Sequence, residues 1–143
     1  VALIYRPDDE GARMNVVAVD DDHAGLELLR MVLEADGHAV RTSAIAGAAL
    51  DLLIDDTPSV LVTDLMMGAD RQGGFRLIEQ VRSRPELDGL PVVALTGVTS
   101  SQELARARAA GADVCMTKPI DVAEFLRVLR QVTASTPATG APG

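Results

Sequence analysis

Residues 60–67 read VLVTDLMM, an apolar run that closes on a carboxylate, Asp64. A strand that is apolar at nearly every position is buried on both faces, as in a parallel sheet covered by helices. Outward from this stretch, runs of the same kind stand at 15–19 (NVVAV) and 92–95 (VVAL), with more mixed runs at 38–42 (HAVRT) and 114–117 (VCMT). Helical patterns fill the gaps. Leu26, Leu29 and Leu33 recur at spacings of three and four, with Leu28 and Val32 widening the stripe. Ala49, Leu52 and Leu53 mark a second helix; Leu77, Ile78 and Val81 mark a third. Leu104 and Ala107, with Arg106 and Arg108 outside, mark a fourth, and Phe125, Leu126, Val128, Leu129 and Val132 a fifth. Gly37 and Gly111 stand where the first and fourth helices should stop. Five strand–helix units predict an α/β fold: a five-stranded parallel sheet of order 2-1-3-4-5 with helices on both faces.

Composition narrows the function. Thirteen Lys and Arg against 21 Asp and Glu give a net charge of −8, which argues against gripping nucleic acid or an anionic membrane surface. Cys115 is the single cysteine, so no internal disulfide forms, and a reducing cytoplasm is the expected location. No apolar run is long enough to span a bilayer, and no signal-peptide pattern is present. Residues 1–13, with the charged RPDDEGAR, read as an N-terminal tail and linker. Residues 14–133 form one domain, and 134–143 (ASTPATGAPG) a disordered tail.

In a sheet of this order the chain reverses between strands 1 and 3, and ligands bind beyond the carboxyl ends of those strands. Strand 1 ends in Asp20-Asp21-Asp22 and strand 3 in Asp64. With Asp20, Asp21 and Asp64 about 5 Å apart, each ionised pair repels by roughly 3 kcal/mol at an effective dielectric near 20. Such a cluster raises a pKa or holds a cation, and hard oxygen ligands suit Mg2+. Asp22 is placed to cap the first helix instead. Strand 4 ends in Thr96 and strand 5 in Lys118, so a hydroxyl and an ammonium join the carboxylates. A carboxylate can attack phosphorus directly while cations neutralise the transferring group.

Across about residues 14–133 the chain resembles the response-regulator receiver domain, a flavodoxin-like (βα)5 fold. The matching pieces are VVAVDDD (16–22), VLVTDLMM (60–67), VVALTG (92–97), AAGAD (109–113) and TKPI (117–120). The resemblance implies a phosphorylation-dependent signalling domain of a two-component system rather than an enzyme. Asp64 would accept a phosphoryl group from a histidine kinase or histidine phosphotransfer protein. Asp20, Asp21, Asp64 and the backbone carbonyl of Met66 would hold Mg2+, and Thr96 and Lys118 would bind phosphoryl oxygens. The Lys118–Pro119 bond would be cis. Output would pass to a downstream protein through the fourth helix, fifth strand and fifth helix, with a homodimer as a further form. The domain would act as a stand-alone regulator or within a hybrid histidine kinase.

Three departures from the family pattern stand out. Gly68 replaces a Pro past the acceptor, in a stretch (DLMMGADRQGGF) about two residues longer than usual, so that loop should be mobile and unusual in shape. Cys115 replaces the aromatic residue three before the lysine; it reads as a small buried residue on an inner strand. With no effector domain read after the fifth helix, output would reside on another protein, on a domain outside this stretch of chain, or upstream. Both His23 and His38 read as structural. A docking-only domain is disfavoured by the complete acidic, hydroxyl and lysine set. An aspartate-nucleophile phosphatase would carry a second Asp where Met66 stands, and a flavin binder would carry a phosphate-cradling loop and more aromatics.

Overall fold

The computed structural model describes residues 13–98 and 100–134; the tails expected at the two ends otherwise lie outside the described residues. In chain order the elements are β1 (Asn15–Val19), α1 (His23–Ala35), β2 (Ala39–Ser43), α2 (Ala46–Asp55), β3 (Val60–Asp64) and α3 (Gly73–Arg82). A 3-10 turn at Pro85–Leu87 precedes β4 (Val92–Thr96), α4 (Ser101–Ala110), β5 (Val114–Thr117) and α5 (Val122–Ala134). The strands form one parallel sheet of order β2-β1-β3-β4-β5, as the sequence predicts.

Alternation along the strands divides the core into two layers. Val17, Val19, Leu61, Val92 and Ala94 face α2, α3 and α4, where Leu53, Phe75, Ile78 and Ala107 meet them. Val16, Ala18, Val62, Val93 and Leu95 face α1 and α5, against Leu29, Leu33, Phe125 and Leu129. All five residues of β3 and of β4 are buried, which is why those runs carry no polar alternation. At the expected helix ends, Gly37 (φ 95°) follows α1 and Gly111 (φ 123°) caps α4.

Several details differ from the sequence expectation. β2 starts at Ala39, not His38: the buried His38 ring accepts the Met14 N–H at Nδ1 (3.0 Å) and meets Asp36 Oδ2 through Nε2 (2.9 Å). Leu28, expected to widen the apolar stripe of α1, is 51 % exposed, because three leucines already fill that layer. Cys115 is half-buried and lies on β5, which is an edge strand and not an inner one; burial pushes its thiol pKa up. Arg106 is not simply solvated, since its guanidinium lies 3.9 Å from the centroid of the buried Phe75 ring.

Candidate functional site

Register sets the site. Val19 pairs with Thr63, which puts the next residues, Asp20 and Asp64, side by side. Asp64 pairs with Leu95 and Thr96 pairs with Thr117, so Thr96 and Lys118 follow at the same sheet edge. Beyond the ladders, Leu65 N–H donates to Leu95 O at 3.0 Å and Lys118 N–H to Thr96 O at 2.8 Å. The Lys118–Pro119 bond is cis.

Asp20, Asp64 and Thr96 are buried, which for two carboxylates demands compensation. Lys118 supplies it: Nζ donates to Asp20 Oδ2 at 3.0 Å and lies 3.2 Å from Asp64 Oδ1. The other Asp20 oxygen accepts the Asp22 N–H at 2.9 Å. Asp22 itself accepts the Gly25 N–H at 3.1 Å and is the N-cap of α1, leaving Asp20 and Asp21 for the pocket. Asp21 is exposed, and its Oδ2 accepts the Gly68 N–H at 2.8 Å. Oxygens of Asp20, Asp21 and Asp64 all lie within 4.8 Å of one another.

Desolvation pushes the Asp64 pKa above the ordinary carboxylate value; Lys118 opposes the shift, and the charges of Asp20 and Asp21 add to it. For Lys118, burial works against the ammonium, but the hydrogen bond to Asp20 and the charges of Asp64 and Asp20 prevail, so its pKa is raised. A strained carboxylate cluster around one ammonium fits a hard divalent cation, whose oxygen-ligand preference matches the three carboxylates. Thr96 ends β4 at the same sheet edge, with its Oγ1 accepting the Val98 N–H at 3.0 Å. Met66, two residues past Asp64, is half-buried and packs against the layer containing α3. His23 opens α1 and is exposed.

Two residues of the site escaped the sequence. The Gly68 amide reaches Asp21 from a separate loop. The N-terminus of α3 rests on the end of β3, with Gly74 N–H donating to Leu65 O at 2.9 Å. The loop expected to be unusual in shape is so: Gly68 has φ 87° and Arg71, a non-glycine, φ 60°.

A family model described as the response regulator receiver domain matches residues 16–130. An uncharacterised 14.6 kDa protein of Leptolyngbya boryana is 36 % identical over 126 residues, which cover 88 % of this chain and 95 % of that protein. The response regulator MprA of Mycobacterium avium is 36 % identical over 123 residues, covering 86 % of this chain; the chain spans about half (52 %) of MprA. Among solved structures, the chemotaxis protein CheY4 of Vibrio cholerae superposes with a TM-score of 0.78 at 27 % identity, covering 85 % of this chain and 99 % of CheY4. No helix among the described residues is long and apolar enough to cross a membrane.

Proposed function

The chain belongs to the response regulator receiver domain family, whose members take a phosphoryl group on an aspartate in two-component signalling, and we propose that Asp64 is the acceptor here. The observation that carries the assignment is Lys118 Nζ placed between Asp20 Oδ2 (3.0 Å) and Asp64 Oδ1 (3.2 Å). That ammonium holds one acidic side chain by a hydrogen bond and leaves Asp64 a nucleophile beside a positive charge.

An Asp64 carboxylate oxygen attacks phosphorus of a phosphohistidine on a histidine kinase or histidine phosphotransfer protein. The new O–P bond forms as the P–N bond breaks, and the electron pair leaves on the imidazole nitrogen. Lys118 shifts its contact toward a phosphoryl oxygen, and the Thr96 hydroxyl turns from accepting the Val98 amide to donate to another. Mg2+, held by Asp20, Asp21, Asp64 and the Met66 carbonyl, would supply further charge neutralisation at the transferring group. The product is an acyl phosphate, and the domain acts as a phosphorylated signal rather than by turning over a metabolite. Residues 14–133 are the receiver unit, with location in the cytoplasm. The downstream protein is expected at the face of α4, β5 and α5, where a second copy could also pack.

The test is incubation with acetyl phosphate and Mg2+, followed by intact mass. Wild type should gain one phosphoryl group and Asp64→Asn none, because an amide is not a usable nucleophile. Equal labelling of the two would overturn the assignment.

A further inference from the structure

Asp20 and Asp64 are fixed by burial and by Lys118, but Asp21 is exposed at the start of the turn into α1. An exposed carboxylate samples several rotamers, and each costs affinity when only one presents an oxygen to a cation. The Gly68 N–H, donating to Asp21 Oδ2 at 2.8 Å, is the restraint that the structure provides. This amide sits where the family pattern has Pro, a residue with no N–H to donate. One hydrogen bond fills one of about four lone-pair sites on a carboxylate, so the group keeps its capacity to bind a cation.

The loop carrying this amide is held in an uncommon conformation. Gly68 takes φ 87°, and Arg71 is left-handed at φ 60°, which costs a non-glycine residue on the order of 1 kcal/mol or more. Such a conformation persists when its surroundings over-determine it. Here Arg71 N–H donates to Gly68 O (3.1 Å), Gln72 N–H to Asp70 Oδ1 (3.1 Å) and Gly73 N–H to Met67 O (2.9 Å). Arg76, on α3, then grips Asp70 with both terminal guanidinium nitrogens, at 2.7 and 3.2 Å. Both side chains of this pair are more than half exposed (56 % for Asp70, 54 % for Arg76), so the pair contributes little to folding.

We propose that the Gly68 amide is a positioning group for the cation site, orienting Asp21, and that the Asp70–Arg76 pair holds that amide in place. The inference rests on a cation bound at Asp20, Asp21 and Asp64. Neither Asp70 nor Arg76 belongs to the carboxylate group that would hold the cation, so both act through the loop.

The experiment is calorimetric titration of Mg2+ into the unphosphorylated full chain, as wild type, Arg76→Ala, Asp21→Asn and the double variant, with thermal melts of each metal-free protein. Arg76→Ala should bind Mg2+ roughly two- to fivefold more weakly, the size of effect an exposed ion pair carries. Its metal-free melt should match wild type, and in the Asp21→Asn background it should cause no further loss. Wild-type affinity in Arg76→Ala beside a weakened Asp21→Asn would overturn the positioning role alone. Equal losses from Arg76→Ala in both backgrounds would overturn it too. Wild-type affinity in Asp21→Asn would remove the cation site itself, and the positioning role with it.

Discussion

Gly74 lies so close to the Asp64 backbone that a β-carbon built on it would overlap the Asp64 carbonyl oxygen and stand 2.5 Å from Leu65 Cα. The first turn of α3 thus packs directly on the strand end that presents Asp64, and no flexible side chain is there to yield. Gly74→Ala should cost about 3 kcal/mol of stability, as overpacking of a rigid contact does, and should shift Asp64 away from Lys118. Urea unfolding together with acetyl-phosphate labelling checks both effects. Unchanged stability would show that α3 can move off the strand freely.

Acidity should reveal the strain in the carboxylate cluster. The Asp64 pKa is raised, chiefly by desolvation, so the folded protein holds that proton more tightly than the unfolded chain does. The stability this contributes is present in acid and is lost as pH rises through the folded-state value. With a chelator present, Asp64→Asn should therefore melt higher than wild type at neutral pH, and the difference should shrink as pH falls below the ordinary carboxylate range. Added Mg2+ should stabilise wild type and not the variant. Parallel melts at several pH values decide the matter; a variant that melts lower at neutral pH would contradict the desolvation.

The fold was legible because burial on both faces writes apolar runs at β1, β3 and β4, and because strand-end residues converge whatever the loops do. Asp20, Asp64, Thr96 and Lys118 could be placed from strand order alone. What stayed hidden depends on approach between distant segments. No local pattern says that Gly74 meets the Asp64 carbonyl, or that the Gly68 amide finds Asp21. Likewise, Arg82 Nη1 reaching Leu90 O (2.7 Å) and Nη2 reaching Asp113 (3.0 Å) ties the end of α3 to the start of β5, though the sequence shows only a charged residue in a last turn. The inner-strand expectation for Cys115 fails against the strand order itself, since 2-1-3-4-5 already puts β5 at an edge.

The phosphoryl group on Asp64 should persist. Hydrolysis needs a water aligned opposite the carboxylate oxygen, and Met66 and Val98, two residues past Asp64 and Thr96, are half-buried apolar side chains unable to hold one. Met66→Asn or Val98→Glu should speed decay about tenfold, corresponding to one net hydrogen bond to the water. Decay of phosphorylated protein in Mg2+ is the measurement. A wild type that decays as fast as both variants would show that water enters by another path.

Phosphorylation should alter the surface around α4 and β5 without the swing of an aromatic ring, since Cys115 occupies the place of one. α4 buries only Ala107 and Ala110 and is held by its Ser100 cap, in which the hydroxyl accepts the Glu103 N–H at 3.2 Å. Amide exchange should change across 97–108 and 115–127 on phosphorylation, while β1 and β3 stay protected. Unchanged exchange in both segments would place the output elsewhere.

Phospho-acceptance by Asp64 is tested most directly by trapping the bond. Protein treated with acetyl phosphate and Mg2+ is reduced with borohydride, which converts an aspartyl phosphate to homoserine, and the peptides are sequenced by mass spectrometry. Homoserine at position 64 alone is the expected result. Homoserine at Asp20 or Asp21 with position 64 intact, or a phosphate that survives on His23 or Thr96, would contradict it.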